Sequence, residues 1–391
     1  MWAYGTTKEL VSEVKRIDLS MRLPSQGIKK LEVDIPQLND DEVLIKVKTS
    51  SLNYNSIWSS LSHPISPFQL IQRHVHRNPN DKDHLLDYAI FGSDAAGVIF
   101  KVGKNVKDWK EGDEVIVHCN VIDLMDPIAQ EDGMLSASQS IWGYETNFGA
   151  FAEYSKVKSS QLISKPPDLS WEVSGSFSLT LSTAYRMLLS GNGITLKPND
   201  NCLIWGACGG LGSFAIQLVK LAGANPIAVV SSREKEEIAK KLGARVVINR
   251  NDENFKNFVK KDGSPNYLAW AEANKILRKK GITKLQYVFD HIGKDTLAVS
   301  LSMLDRGGSV VICAASSGFN AVIDLRYLWM SLKKIIGSHF ANYKEATDAA
   351  ELVFNGKITP LIFDCFDISD LPRLADAMYQ NKCYGKVVFL H

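Results

Sequence analysis

The sequence predicts a two-domain α/β protein, in which a β-rich domain accompanies a doubly wound parallel sheet. Short strands between turn signals occupy the first part of the 391-residue chain. From Trp171 onward, predicted strands and helices alternate. A glycine-rich turn follows the first strand of that alternating region and precedes a helix. These observations, in a chain of this length, favour two separate hydrophobic cores.

The N-terminal region is mostly β to roughly residue 160, because alternating and short apolar runs lie between turn signals. Strands are predicted at Glu42–Lys48, Glu114–His118 and Ala150–Tyr154. The polar stretch Ser56–Tyr88 is irregular, with a helix near Pro67–Arg73. It fits either a surface loop or an excursion beside a cleft. The pattern as a whole predicts a barrel-like domain.

The alternating region begins with a predicted helix over Ser176–Leu189. Six strands follow, at Cys202–Trp205, Pro226–Val230, Arg245–Ile248, Leu285–Phe289, Ser309–Ala314 and Ile335–Gly337. Helices lie between these strands, which predicts a parallel sheet covered on both faces.

The C-terminal segment returns to a helix, Tyr343–Phe354, and ends in short strands near Leu361–Phe363 and Val387–Leu390. It is too short for a core of its own, so we expect it to rejoin the N-terminal domain. The predicted domains are therefore 1–167 with 341–391, and 168–340.

The glycine-rich turn has the sequence Gly206-Ala207-Cys208-Gly209-Gly210-Leu211-Gly212. Glycines at a strand–helix junction permit a tight turn, close approach of the backbone to a pyrophosphate and close helix–strand packing. The helix that follows offers free N–H groups to phosphates. The predicted dinucleotide-binding residues are Gly206, Cys208, Gly209, Gly210, Leu211 and Gly212. The alternative is a strand–turn–helix without a ligand.

The end of the next strand distinguishes between cofactors. It reads Ser231-Ser232-Arg233-Glu234-Lys235, whereas an NAD site usually places an acidic residue there for the ribose hydroxyls. Hydroxyls and cations suit a 2′-phosphate, so Ser231, Ser232, Arg233 and Lys235 predict NADPH. Alternatively, Arg233 and Lys235 are solvated residues at a helix start.

Composition excludes several other classes of protein. A net charge of +2 gives no case for a nucleic-acid-binding surface. The six cysteines are scattered without a CxxC pair, which argues against a disulfide framework or a zinc knot. No apolar stretch approaches membrane-spanning length and the N-terminus lacks a signal pattern, so we expect no membrane partner and a cytoplasmic location.

The order of the two domains resembles the medium-chain dehydrogenase/reductase superfamily, in which a GroES-like β-barrel domain precedes a Rossmann domain. Zinc alcohol dehydrogenases of that superfamily have a Gly-His-Glu segment that brings a zinc ligand. The corresponding stretch here, Gly92-Ser93-Asp94-Ala95-Ala96-Gly97, lacks the histidine, and the cysteine-rich structural zinc loop is absent. The adjacent pair His118-Cys119 would point to opposite faces of a strand, so no bound metal is expected.

Three longer stretches resemble the crotonyl-CoA carboxylase/reductase branch: Asn53–Trp58, Ile141–Gly149 and Arg326–Tyr343. The resemblance implies an NADPH-dependent reductase of a short-chain 2-enoyl-CoA, such as acryloyl-CoA or crotonyl-CoA. Some members add carbon dioxide during the reduction, and others simply protonate the product. The resemblance also implies a homo-oligomer, a dimer or tetramer, whose nucleotide domains pair through their sheets.

Four residues form the carbon dioxide pocket of the carboxylating relatives, and by motif they fall on Asn55, Tyr144, Glu145 and His339. Three are retained, but Tyr144 replaces a phenylalanine, and its phenol can hold a water. We therefore expect hydride transfer to Cβ and protonation at Cα, by water or through the Glu145/His339 pair. The resemblance places Arg326, with Tyr327, at the CoA part of the substrate.

Several alternatives remain open at this point. Reductive carboxylation to an alkylmalonyl-CoA would use the three retained pocket residues. A zinc-free quinone or enone reductase would use the same fold, and an NADPH-binding protein without turnover would leave Glu145 and His339 idle. Structural roles are also open, as a turn residue for Asn55, a loop carboxylate for Glu145 and a hydrogen-bonded residue for His339.

Overall fold

A computed structural model describes all residues of the chain, 1–391. The chain packs into two compact units, and each is described by itself. The first contains residues 1–179, 342–354 and 360–391, and the second contains residues 180–341 and 355–359.

The first unit is mainly β-structure. Its strands up to residue 164 are β1 Trp2–Thr7, β2 Lys29–Glu32, β3 Glu42–Ser51, β4 Tyr88–Ile90, β5 Ala95–Val102, β6 Glu114–Val117, β7 Asn120–Val121, β8 Ser140–Ile141, β9 Tyr154–Lys158 and β10 Leu162–Ser164. Its helices in the same part of the chain are α1 Lys8–Arg16, α2 Tyr54–Leu61, α3 Pro67–Arg77, α4 Pro127–Asp132 and α5 Trp171–Ser174.

The second unit alternates strands and helices after helix α6, Ser178–Leu188, which begins in the first unit. Its strands are β11 Asn201–Ile204, β12 Asn225–Val230, β13 Val246–Asn249, β14 Tyr287–Asp290, β15 Ser309–Ile312 and β16 Lys334–Gly337. Its helices are α7 Gly210–Leu221, α8 Arg233–Leu242, α9 Tyr267–Lys279, α10 Leu297–Met303 and α11 Leu325–Trp329. The chain then re-enters the first unit with α12 Tyr343–Phe354, β17 Ile362–Asp367, α13 Leu371–Tyr379 and β18 Lys386–Leu390.

Strand β3 is the centre of the main sheet of the first unit. The strand order is β10-β6-β5-β3-β18-β17, and β9 also pairs with β3. Strand β18 runs antiparallel to β3, with Val388 opposite Ser51. A buried cluster that includes Ile57, Phe151 and Phe389 packs between this sheet and the helices. The polar excursion of the sequence is therefore built into the fold, because α2 and α3 contribute to its core.

The second unit confirms the doubly wound parallel sheet. Its strand order is β13-β12-β11-β14-β15-β16, and every pairing is parallel. All six predicted strands are present, with ends that differ by at most two positions. Its core surrounds Trp205, whose ring packs against Phe255 and Phe258 and whose Nε1 donates to Ser300 Oγ at 2.9 Å.

The predicted strand Ala150–Tyr154 is wrong, because the regular strand begins only at Tyr154. The residues before it form one isolated bridge, between Ala3 and Ala152. Instead, the backbone N–H of Ala150 donates to Gly92 O at 2.9 Å and that of Phe151 donates to Phe91 O at 2.9 Å. Ala150, Phe151 and Ala152 are apolar because all three are buried, and not because they alternate between two faces of a sheet.

None of the helices combines the length and the apolar character that a membrane crossing requires.

Candidate active site

The glycine-rich turn joins β11 to α7 at the point where the strand order of the sheet reverses. Gly206 has φ +56°, and a Cβ there would lie 2.8 Å from the ring of His291. A Cβ on Gly212 would lie 2.4 Å from the carbonyl oxygen of Gly206. Gly209 caps α7, and Gly210 and Leu211 begin it. The turn is therefore closed in a way that only glycine permits, and it presents a helix N-terminus at the switch point of the sheet.

The two predicted parts of the dinucleotide site lie together in the second unit. Cys208 Sγ donates to the carbonyl oxygen of Lys235 at 3.1 Å, so the glycine turn contacts the start of α8. Ser232 caps α8 by accepting from the backbone N–H of Lys235 at 3.3 Å. Ser231 is half-buried, and the side chain of Arg233 is 91% exposed. Hydroxyls and a solvent-facing guanidinium at this strand end fit a 2′-phosphate.

Arg326 is held in place by the carboxylate of Asp324. Asp324 caps α11 and accepts two hydrogen bonds from the guanidinium, at 3.0 and 2.7 Å. The carboxylate of Asp324 also accepts from the Tyr267 hydroxyl at 3.0 Å. Tyr327 instead packs inward, with its ring edge-on to Trp270 at 5.6 Å. Arg326 is therefore the more accessible of the two residues expected to bind CoA.

His339 lies in the second unit, two residues after the end of β16, and its side chain is exposed. The other three pocket candidates, Asn55, Tyr144 and Glu145, lie in the first unit. The structure thus brings three of the four candidates into one compact unit.

Asn55 lies in the first turn of α2. Its Nδ2 donates to Ser93 Oγ at 2.9 Å, and Ser93 is completely buried. The Oδ1 of Asn55 is also buried, but it has no hydrogen-bond partner among the protein atoms. A buried amide oxygen without a donor is costly, and a bound ligand or water can satisfy it.

Tyr144 and Glu145 lie on the loop between β8 and β9. Glu145 Oε2 accepts from the backbone N–H of Ile141 at 2.9 Å, which fixes the carboxylate against its own loop. Burial and the neighbouring Glu145 carboxylate raise the pKa of Tyr144 to about 12. The phenol of Tyr144 therefore stays neutral near pH 7 and can both donate and accept a hydrogen bond.

The loop that carries Tyr144 and Glu145 packs against the turn at 91–93, and Asn55 is hydrogen-bonded to the same turn. A Cβ on Gly143 would lie 1.9 Å from Gly92 O, and one on Gly149 would lie 2.4 Å from Phe91 O. Gly92 directly precedes Ser93, the partner of Asn55. The turn that replaces the zinc-ligand segment thus connects α2 with the Tyr144–Glu145 loop.

Sequence reasoning missed a group of polar residues behind this turn. Asp94 and Lys386 form a buried ion pair at 2.9 Å, and Asn53 and Ser51 donate to the same carboxylate. Lysine at the start of an otherwise apolar last strand was the signal available in the sequence, because a buried lysine requires a partner.

The pair His118-Cys119 follows β6 and does not lie on a strand. The prediction that the two side chains point to opposite faces of a strand was therefore wrong in assuming a strand. Both side chains are buried, and the ring of His118 meets that of Tyr343 edge-on at 5.8 Å. Burial lowers the pKa of His118 to about 3 and raises that of Cys119, so both groups are held neutral.

A second group of potential metal ligands, His74, Asp81 and His84, was not singled out in the sequence. Their ligand atoms lie within 4.8 Å of one another. However, His74 Nε2 is 3.0 Å from Asp81 Oδ2, and Lys158 Nζ donates to Asp81 Oδ1 at 3.0 Å. His84 Nδ1 accepts from the backbone N–H of Asn147 at 3.1 Å. An ammonium on the shared carboxylate disfavours a cation, so we assign these residues to a buried hydrogen-bond network.

Asp290, at the end of β14, is a fully buried carboxyl group of the second unit. Burial raises its pKa to about 6, although Gly293, Thr296 and Ile292 donate hydrogen bonds to it. The pKa of Asp290 is therefore higher in the folded protein than in the unfolded chain. Ionisation of this carboxyl thus destabilises the folded protein by about 3 kcal/mol. The destabilisation is complete above pH 6 and absent below pH 4.

We expect Asp290→Asn to keep the acceptor oxygen and to remove this pH-dependent cost. The variant should therefore gain stability relative to the parent as the pH rises from about 4 to 6, and the difference should then stay constant. Urea unfolding at a series of pH values measures it. A stability difference that is the same at pH 5 and pH 8 would contradict the raised pKa.

Comparison with known proteins identifies the fold. The sequence matches the family described as "Alcohol dehydrogenase GroES-like domain" over residues 39–167 and the one described as "Zinc-binding dehydrogenase" over residues 210–355. The first match lies within the mainly β unit, and the second covers most of the parallel sheet. The expected GroES-like and Rossmann architecture is confirmed.

Individual relatives narrow the family. The crotonyl-CoA reductase of Streptomyces collinus is 44% identical over 365 residues, which cover 93% of this chain and 81% of that protein. The crotonyl-CoA carboxylase/reductase of Cereibacter sphaeroides is 42% identical over 367 residues, covering 92% and 82%. The solved structure of the 2-octenoyl-CoA carboxylase reductase CinF, in complex with NADP and 2-octenoyl-CoA, is similar with a TM-score of 0.94 at 38% identity, covering 100% of this chain and 87% of that one. The chain therefore belongs to the crotonyl-CoA carboxylase/reductase branch of the medium-chain dehydrogenase/reductase superfamily.

Proposed function

We propose that the protein is an NADPH-dependent reductase of a short-chain 2-enoyl-CoA, with acryloyl-CoA or crotonyl-CoA as substrate. The convergence of Asn55 and the Tyr144–Glu145 loop on one turn supports this proposal, in a chain related to crotonyl-CoA reductase over most of its length. The substrate domain is proposed to span 1–167 and 341–391, and the NADPH-binding domain 168–340.

Different residues are proposed to bind NADPH and CoA. NADPH, when bound, supplies the hydride that the β-carbon of the substrate accepts. The turn Gly206–Gly212 would hold the pyrophosphate, and Ser231, Arg233 and Lys235 the 2′-phosphate. Arg326, already oriented by Asp324, would bind a phosphate of CoA.

Hydride addition leaves negative charge on the α-carbon and the thioester oxygen, and this carbanion must be captured. The neutral phenol of Tyr144 can hold a water, and the unpaired Oδ1 of Asn55 can accept a hydrogen bond from water. Because Asn55 matches a residue of the carbon dioxide pocket, only Tyr144 favours protonation at Cα, with Glu145 orienting the proton source.

Reductive carboxylation is a second candidate, because relatives over most of the chain include carboxylase/reductases. Asn55, Glu145 and His339 match the residues of the carbon dioxide pocket, so only Tyr144 differs. In this reading the same carbanion attacks carbon dioxide, and the product is an alkylmalonyl-CoA.

One assay separates these possibilities. NADPH oxidation is followed with acryloyl-CoA and with crotonyl-CoA, with and without saturating bicarbonate, and the products are identified by mass. A saturated acyl-CoA under both conditions supports the reductase, and a carboxylated product with bicarbonate supports the second candidate. Turnover of a small enone but of neither thioester would contradict both.

Tyr144→Phe is expected to raise the carboxylated share of the product. The substitution removes a hydrogen bond to water worth about 1 kcal/mol, which would change the partition about fivefold. Product ratios at fixed bicarbonate measure it, with Tyr154→Phe, on strand β9, as the matched control. An unchanged ratio would show that the Tyr144 hydroxyl does not select against carbon dioxide.

We also propose that the protein forms a homo-oligomer through strand β16. This strand is the last in the parallel sheet, so its outer edge is unpaired within the chain. Trp329 and Leu332, which precede the strand, and Ile335, which lies on it, are exposed apolar side chains, at 66, 62 and 38%. An open strand edge with adjacent apolar surface is complementary to a second copy of itself.

Ile335→Glu is expected to shift the protein toward monomers, because two like charges would face each other across a twofold contact. Sedimentation velocity measures the change. Leu268→Glu, at an apolar side chain 85% exposed on α9, is the control and should leave the assembly intact. Equal sedimentation of the Ile335→Glu variant and the parent would exclude this edge.

A further inference from the structure

The last strand places a lysine ammonium in the interior of the first unit. Lys386 is only 1% exposed. Its Nζ donates to Asp94 Oδ2 at 2.9 Å and to Asn53 Oδ1 at 2.5 Å. A lysine is rarely buried to this extent without a carboxylate partner, so its contacts define one fixed position.

Asp94 receives a complete set of donors. Besides Lys386, its Oδ2 accepts from Asn53 Nδ2 at 2.9 Å and Ser51 Oγ at 3.1 Å, and its Oδ1 accepts from the backbone N–H of Leu179 at 2.7 Å. Asp94 is itself fully buried. Such a carboxylate cannot move without losing several hydrogen bonds in a poorly solvated place, which makes it a rigid reference point.

The beginning of helix α2 is tied to this reference point twice. Asn53 is the N-cap residue of α2, yet its side chain makes no capping bond and reaches Asp94 and Lys386. Asn55, two residues later, is bonded to Ser93, the residue before Asp94. Two side chains on one helix start thus hold two adjacent residues of the turn, which fixes both the position and the rotation of the helix.

We propose that Lys386 and Asp94 are positioning residues for Asn55, acting through Asn53 and Ser93. Lys386 compensates the buried charge of Asp94, Asp94 fixes the start of α2, and Ser93 sets the direction of the Asn55 amide. Lys386 and Asp94 act on Asn55 indirectly, because the side chain of Asn55 donates to Ser93 and not to either of them. Their role for the reaction rests on the proposed function, in which Asn55 faces the captured water or carbon dioxide.

The electrostatic environment agrees with this arrangement. Burial is the main reason that the pKa of the Cys119 thiol is raised. The charges of Asp94 and Glu145 also raise this pKa, and that of Lys386 lowers it. Asp94 also follows two residues after Gly92, whose carbonyl oxygen packs against Gly143 of the Tyr144–Glu145 loop. Without Lys386, an unbalanced carboxylate would remain in the region where the reaction develops negative charge.

The test compares three variants of the full chain. Lys386→Met removes the cation and keeps most of the side-chain volume, and Ser93→Ala removes only the last link. Lys165→Met is the control, because Lys165 is also buried and paired, at 2.9 Å with Glu114, but lies in a separate ion pair. Displacing a reacting group by about 1 Å costs about 100-fold in rate, so kcat should fall at least about tenfold in the first two variants, with an unchanged KM for NADPH.

A second readout follows Asn55 directly and needs no turnover. In protein labelled with 15N-asparagine, the Asn55 side-chain resonances are assigned by their loss in Asn55→Asp. We expect them to shift in Ser93→Ala and Lys386→Met and to stay in place in Lys165→Met. Unshifted resonances and parental kcat in Ser93→Ala would overturn the proposal, even if Lys386→Met fails to fold. If the parent protein reduces no enoyl-CoA, the proposed function fails, and the resonances alone decide whether Lys386 and Asp94 position Asn55.

Discussion

Gly212→Val is expected to lower the affinity for NADPH by at least about 100-fold. A Cβ at this position would lie 2.4 Å from Gly206 O and 2.6 Å from Ala207 Cα. Both are backbone atoms of the same turn, so the turn itself must move to relieve the clash. That movement would displace the N–H groups at the start of α7 from the pyrophosphate. Fluorescence titration with NADPH measures the affinity.

The control for this prediction is Gly191→Ala, because a Cβ on Gly191 would meet nothing within 4 Å. Its affinity for NADPH should equal that of the parent protein. Circular dichroism of both variants shows whether the fold is intact. A folded Gly212→Val protein with parental affinity would contradict the assignment of the turn to the cofactor.

Asn147→Ala is expected to destabilise the first unit by about 3–5 kcal/mol. The side chain is fully buried and accepts from the backbone N–H groups of Ile90 and Phe148, at 2.9 and 2.8 Å. It also donates to Tyr88 O at 2.8 Å. Alanine would remove the acceptor of the two buried N–H groups, and each such loss costs about 1–3 kcal/mol.

Urea unfolding measures the loss, and Asn105→Ala, at an exposed asparagine of the same unit, should change stability by less than about 0.5 kcal/mol. Because Asn147 lies on the Tyr144–Glu145 loop, the activity of the folded fraction should also fall. A loss below about 1 kcal/mol would mean that other donors and acceptors replace the amide.

The parallel sheet was predictable because its signals are local. Each strand is a short apolar run, and the turn that follows β11 requires glycine for reasons visible in the sequence itself. The strand 150–154 was mispredicted because the three buried residues Ala150, Phe151 and Ala152 produce the same short apolar run as a strand. Periodicity cannot separate these two cases when the run is so short.

The candidate site was predictable only in part. Asn55, Tyr144, Glu145 and His339 were found through motif resemblance, and their roles stay predictions. Ser93 and Asp94 were visible only as the place where a zinc ligand is missing. Lys386 could not be connected with Asp94 from sequence, because 292 positions separate them in the chain and only the folded sheet brings them together.

The position of β18 beside β3 has a consequence for how the chain folds during synthesis. Residues 180–341 form most of the second unit as one continuous segment, which can fold as soon as it has left the ribosome. The main sheet of the first unit, although translated earlier, lacks an inner strand until residues 386–390 emerge. Until then, the part of the edge of β3 that pairs with β18 is exposed. The first unit, although most of it is translated before the second, is therefore prone to aggregation for longer.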